Sequence, residues 1–158
     1  MSPPLTHFLT RSVEAGTEIL PPFLTLLGHI GLLICFDLRF PEPSLALRRM
    51  GAQIITYPSA FTVPTGKAHW STLLRARAIE TQSFIIAAAQ VGRHNERRVS
   101  WGHSMVIDPW GEVLAELGGV EDWKGEPQLE VVELDMQKLE RVRREMPLKR
   151  RADVYPEV

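Results

Sequence analysis

The sequence predicts a layered α/β fold, and three observations carry that prediction. Short apolar runs without polar alternation recur at 30–36, 52–57 and 84–89, as in strands covered on both faces. Between them stand two segments with helical periodicity and helix punctuation, at 41–50 and 69–81. A turn-rich segment, Asp108-Pro109-Trp110-Gly111, then separates two further apolar stretches. Strands that alternate with helices bury their faces by building a sheet with helices packed on it.

Each element has its own justification. GHIGLLICFD at 28–37 reads as a strand buried on both faces. PEPSLALRRM at 41–50 opens on a proline, whose fixed φ suits a first helical turn, and Gly51 stops it. AQIITY at 52–57 is a second buried strand, closed by Pro58. HWSTLLRARAIET at 69–81 is a helix with Trp70, Leu73, Leu74 and Ala78 near core spacing. FIIAAA at 84–89 is a third buried strand, and 92–102 reads as a polar, basic loop. Residues 104–107 and 112–117 flank the Asp-Pro-Trp-Gly turn as a hairpin. LEVVEL at 129–134 alternates as a half-exposed strand does. Asp135 caps a helix that runs to about Glu145 and is stopped by Pro147. Residues 118–128 are a surface loop and 148–158 a tail.

Composition bounds function. The chain of 158 residues is 44% hydrophobic and 23% charged, enough for one folded core. Its 18 basic and 19 acidic residues give a net charge of −1 and no general field for nucleic acid or an anionic membrane. No apolar stretch is long enough to span a bilayer, and residues 1–10 lack a secretory signal pattern. One cysteine excludes an internal disulfide and a thiolate-rich metal site, and a single thiol suits the reducing cytoplasm. Five histidines without paired spacing give no metal centre, so no cofactor is expected.

Cys35 closes the first buried strand, and a helix-bearing segment follows it. A sharp turn there pushes a side chain out of the sheet and turns backbone N–H groups toward a developing oxyanion. A thiol so placed attacks a carbonyl or nitrile carbon once a base or cation favours the thiolate. Composition alone favours a buried structural cysteine instead.

The residues around Cys35 reverse that weighting. Gly31-Leu32-Leu33-Ile34-Cys35-Phe36-Asp37-Leu38-Arg39-Phe40-Pro41-Glu42 resembles the nucleophile signature of the nitrilase superfamily of carbon–nitrogen hydrolases. The resemblance continues in order through Tyr57 to Phe61, Gly66 with Ala68 to Trp70, Leu74 to Gln82, Ala87 to Gln90, Gly102 to Gly111, and a tail with Arg151, Asp153 and Tyr155. The branch it resembles contains deaminated-glutathione amidase. It covers about 12–158, with 1–11 unmatched, as a partial domain: the C-terminal part of an α-β-β-α sandwich of the nitrilase type.

That resemblance implies a dimerising, cofactor-free and metal-free amidase that works through a Glu–Lys–Cys triad and a thioester. Only the cysteine carries over, as Cys35, with the Phe36 N–H as oxyanion donor. The family's glutamate and lysine precede the cysteine, and only 34 residues do so here, so the sequence reads as lacking them. Glu14 and Glu18 do not match a supporting glutamate, and Lys67 follows the cysteine in what reads as a turn.

Ser59 and Phe61 follow the second strand at its carboxyl end, where α/β sheets hold ligands, and are pocket candidates together with His69. His69 and His103 also read as packed, hydrogen-bonded residues, and Glu42 as a dipole partner in a first helical turn. Arg77 and Glu80 at i,i+3 read either as a surface pair or as a network under the site. Trp101, Trp110 and Trp123 read as packing or interface groups. Leu139, Val142 and Met146 form the apolar stripe of an amphipathic helix that faces the sheet or a second subunit.

Two functions compete: an amidase for a small linear ω-amide, acting as a homo-oligomer, or an inactive remnant that associates with a partner subunit. A thiol redox domain ranks last, because no C-x-x-C partner exists. The partial sandwich is also expected to expose apolar faces of the strands at 30–35 and 84–89 and to self-associate.

Overall fold

The computed structural model describes residues 16–151 and 153–155, so the segment 1–11 and Glu14 lie outside the described residues. Among the described residues six strands form one sheet: β1 (Phe23–Thr25), β2 (Gly28–Leu32), β3 (Ile54–Thr56), β4 (Phe84–Ala87), β7 (Met105–Ile107) and β8 (Val113–Glu116). β5 (Val91–Asn95) and β6 (Arg98–Trp101) pair with each other as a separate hairpin. The helices are α1 (Pro41–Arg49), α2 (Val63–Thr81) and α3 (Met136–Glu145), and a 3₁₀ turn covers Cys35–Arg39. Among the described residues no helix is long and apolar enough to cross a membrane.

The sheet order is β1-β2-β3-β4-β7-β8, with β2, β3 and β4 parallel and the outer pairings antiparallel. Ile30, Ile54 and Phe84 share one row, Gly31, Ile55 and Ile85 the next, and Leu32, Thr56 and Ile86 the third. Successive rows point to opposite faces. The Gly31 row lies under α1 and α2, where Leu47, Ile55, Trp70, Leu74 and Ile85 form one buried cluster. Gly31 lets α1 approach: a Cβ there would come within 2.8 Å of Leu47 Cδ1.

The opposite face is covered differently. Ile54 and Phe84 pack against Leu139 of α3, with Ile30 and Ile86 at the margin. α3 covers the row at the amino ends of the parallel strands and stops there. Beyond it Leu32 is 60% and Ile34 62% exposed. The expectation that 28–37 is buried on both faces is therefore corrected, because the described residues cover only one face at Leu32 and Ile34. β4 stays buried, and exposure begins only at Ala88.

Other corrections have local causes. Residues 129–134 form no strand; alternation favours pairing, and no neighbouring strand among the described residues offers these backbone groups a partner. Residues 92–102 hold β5 and β6, whose arginines and Asn95 mask a strand pattern, with Asn95 Oδ1 accepting the Arg97 N–H at 2.9 Å in the turn. α2 begins at Val63, so Lys67 lies inside a helix; Pro64 sits in the first turn, where it costs no hydrogen bond. Gly66 is required within that helix because the Trp101 side chain fills the space a Cβ would need. β1 went unpredicted at three residues; Thr25 Oγ1, donating to Gly28 O at 2.9 Å, closes its turn to β2.

The α3 cap and the hairpin are as expected. Asp135 Oδ1 accepts the Lys138 N–H at 3.0 Å. Asp108 Oδ1 accepts the N–H groups of Trp110 and Glu112, both at 2.9 Å, and its other oxygen pairs with the Lys138 ammonium. That ion pair fastens α3 to the β7–β8 turn.

Candidate active site

Three parallel strands end on one edge of the sheet, and the chain leaving each of them contributes to one site. Cys35 lies just past β2, Pro58 to Ala60 past β3, and Ala88 to Gln90 past β4. With Ile34 and Ser104 they line a cavity of about 480 Å³.

Cys35 adopts φ 42°, the left-handed region that non-glycine residues avoid. Such a conformation costs about 1–3 kcal/mol and persists only where its surroundings impose it. Those surroundings are explicit. The Cys35 N–H donates to Pro58 O at 3.0 Å, tying the turn to the end of β3. Asp37 Oδ2 accepts the Ile34 N–H at 2.8 Å, while the Asp37 N–H donates back to Ile34 O at 2.9 Å. Leu38 is fully buried, and its carbonyl accepts from Arg77 at 2.8 Å. The thiol is left half-buried, with its carbon stem against the core and the cavity beside it.

Arg77 resolves the two readings of its helix. It is 4% exposed and donates to Glu80 Oε2 at 3.0 Å, so the pair forms a network beneath the Cys35 turn. Tyr57 supports the same turn from β3. Its phenol is fully buried and 2.6 Å from Ser44 Oγ on α1. Burial pushes the Tyr57 pKa up to about 12, outweighing the hydrogen bond from Ser44, which lowers it. Tyr57 O accepts from Ser59 Oγ at 2.9 Å, which sets the wall of the cavity.

Of the sequence-predicted pocket residues, Ser59 lines the cavity with Cys35. Phe61 and His69 instead meet at Arg39, on the flank of the turn: the guanidinium carbon is 5.2 Å from the Phe61 ring centre, and its Nη1 is 3.2 Å from His69 Nδ1. Phe61 packs on Trp70, with ring centres 4.9 Å apart. The Phe36 ring is 48% exposed, edge-on to Phe40. His103 lies off the cavity as a packed residue, stacked on Trp101 and held between Glu116 and Glu121 at 2.7 and 2.8 Å.

Gln90, Ala88, Ala89 and Ser104 also line the cavity and were not singled out as pocket residues. The signal was available, because residues 88–90 follow the third parallel strand at its carboxyl end, the rule that selected Ser59. Ser104 Oγ accepts the Ala89 N–H at 2.8 Å, and the Gln90 backbone N–H donates to Ser59 O at 2.9 Å, whereas the Gln90 side-chain amide has no partner among the described residues. Among the described residues no carboxylate or ammonium group lines this cavity, and no group of three metal-ligating side chains occurs. The arrangement presents a strained thiol and an unpartnered side-chain amide to a small ligand.

Comparison with known proteins gives the family and the fold. The family described as carbon-nitrogen hydrolase matches residues 2–144. The probable hydrolase nit2 of Schizosaccharomyces pombe is 53% identical over 143 residues, covering 90% of this chain and 51% of that protein. The human deaminated glutathione amidase is 51% identical over 148 residues, covering 92% of this chain and 43% of that protein. The crystal structure of the Caenorhabditis elegans NitFhit protein superposes with a TM-score of 0.80 at 49% identity, covering 90% of this chain and 34% of that one. The chain thus spans about half, or less, of the length of the relatives it matches.

Proposed function

The chain belongs to the carbon–nitrogen hydrolase family, and from that premise we propose that Cys35 is the nucleophile of an amidase site for a small linear ω-amide. The observation that carries this reading is the left-handed Cys35 at a strand end, facing a cavity of about 480 Å³. The substrate class follows the similarity to deaminated glutathione amidase.

In the reaction, the thiolate sulfur attacks the carboxamide carbon and the carbonyl oxygen takes the negative charge. The Phe36 N–H has no acceptor among the described residues and is the donor for that oxyanion. The C–N bond breaks, ammonia leaves with a proton from a general acid, and a thioester remains. Water hydrolyses the thioester to the carboxylate and frees the thiol. The resemblance gives the acid–base step to a glutamate and the oxyanion a lysine, and neither type of group lines the described cavity. Turnover therefore depends on groups beyond those that line the site here.

Alkylation with iodoacetamide, mass mapping and an ammonia assay on ω-amides test the proposal together. The folded chain is expected to be labelled at Cys35, to lose labelling on Cys35→Ser, and to release no ammonia alone. Labelling that occurs only after unfolding would sink the nucleophile assignment. Robust ammonia release would overturn the dependence on further groups.

A second reading is an inactive subunit that associates with a copy of itself or a relative. The exposed Leu32 and Ile34 beside the site favour it.

A further inference from the structure

Far from Cys35, at the amino ends of β3 and β4, a second concave site is lined by an unusual set of charges. The last turn of α1 gives Arg48 and Arg49, the last turn of α3 gives Arg143, and the chain after α3 gives Lys149 and Arg150. With Leu45, Gln82 and Leu148 they enclose a cavity of about 340 Å³. Glu80 is the sole carboxylate on its described lining, and it is already engaged by Arg77 at 3.0 Å. None of the five cations has a carboxylate within ion-pair distance among the described residues.

We propose that this cleft binds a small multivalent oxyanion of the phosphate or phosphate-monoester class. The argument begins with Arg143. Its Nε donates to Gln82 O at 2.9 Å, and one terminal nitrogen donates to Ala52 O at 2.7 Å and Ser83 Oγ at 3.0 Å. Those bonds fix the guanidinium plane and leave its other terminal nitrogen without an acceptor among the described residues. A guanidinium held in place in advance loses little freedom when it meets an oxyanion.

The charges also oppose one another. Burial, then the neighbouring charge of Arg48, lowers the Arg143 pKa to about 10, and burial lowers that of Arg48 as well. Two half-buried cations side by side without an anion are an unfavourable arrangement that a bound dianion relieves. The carbonyl ends of α1 and α3 offset only part of this, since each is equivalent to about half a negative charge. Five cations exceed that compensation.

Shape and direction select the ligand. The cations reach the cleft from three chain segments, which suits an anion with several oxygens around a centre better than a planar carboxylate. The volume suits a small molecule. A net charge of −1 over the whole chain gives no general field to gather a polyanion. Apart from Glu80, which Arg77 engages, this site shares no group with the surroundings of Cys35, and it stands independently of the amidase reading.

Calorimetric titration of the intact chain with inorganic phosphate tests the proposal, at constant ionic strength set by sodium chloride, with glycerol 2-phosphate and succinate as parallel arms. One saturable site is expected for phosphate and for the monoester, weakened tenfold or more by Arg48→Gln combined with Arg150→Gln. Lys149→Gln alone, on the exposed segment, is expected to weaken it severalfold and serves if the double variant does not fold. Cys35 alkylation is expected to be unchanged in both. Absence of saturable binding, binding indifferent to these substitutions, or succinate binding as tightly as phosphate would each overturn the assignment.

Discussion

Tyr57 makes stability at alkaline pH a test of how the Cys35 turn is supported. Its phenol is fully buried and its pKa stands at about 12 rather than 10. A raised value means that the neutral form is favoured in the folded chain, so its contribution is complete below pH 10 and is lost as pH rises toward 12. Two units are equivalent to about 2.7 kcal/mol, of which about 1.4 kcal/mol is gone at about pH 11 and about 2.3 kcal/mol at about pH 12. Tyr57→Phe removes this titration and strands the fully buried Ser44 hydroxyl, at a cost of about 1–3 kcal/mol at neutral pH. The variant is thus expected to be less stable near pH 9, with the gap to the native sequence narrowing by about 1.4 kcal/mol near pH 11. Urea unfolding followed by tryptophan fluorescence at stepped pH measures this, and taking the difference between the two chains removes the background of other titrating groups. A gap that stays constant from about pH 9 to about pH 12 would refute the buried, un-ionised phenol.

Three further perturbations follow from the packing. Gly66→Ala drives a methyl group into Trp101, and that overpacking outweighs the gain in helix propensity, giving a net loss of about 1–3 kcal/mol in urea unfolding; an unchanged midpoint would contradict the contact. Asp108→Asn keeps an acceptor for the Trp110 and Glu112 N–H groups but loses the Lys138 pair, at about 1–3 kcal/mol, whereas Asp108→Ala loses both, at about 3–5 kcal/mol; equal effects of the two would refute the division. Leu32→Lys with Ile34→Lys is expected to shift the chain toward monomer in sedimentation velocity, since both side chains face solvent on an uncovered sheet face; a native chain already monomeric at every concentration would end that argument.

What could be read in the sequence was what short-range chemistry decides. Pro41 and Asp135 marked helix starts because each supplies a backbone need at a fixed position. Ile54, Ile55, Phe84 and Ile85 marked buried strands because consecutive apolar residues require two covered faces. What could not be read was which neighbour would arrive. Residues 129–134 have the alternation of a strand and no described partner, and 28–37 has apolar residues for a cover that the described residues place only in part. The helix at 69–81 in fact begins at Val63, and Gly66 within it answers to Trp101, which stands in a hairpin that itself read as a loop. At the site, Cys35 was legible from its position at a strand end, whereas the contacts of Arg39 with Phe61 and His69 depend on where the 3₁₀ turn aims one long side chain.

The supports of Cys35 show why its strain can be kept. Asp37 is local, but Pro58 comes from the end of β3, Arg77 from α2, and Tyr57 holds α1 through Ser44. Relaxing φ at Cys35 would break the N–H bond to Pro58 or pull Leu38 away from Arg77, leaving a guanidinium that is 4% exposed short of an acceptor. Either loss is of the same order as the strain, about 1–3 kcal/mol, so the left-handed turn is the lower-energy choice once the sheet and α2 are in place. The geometry that presents the thiol is therefore a property of the core on the covered face. The exposed side chains of Leu32 and Ile34 take no part in those supports, so covering that open face would leave what holds the sulfur undisturbed.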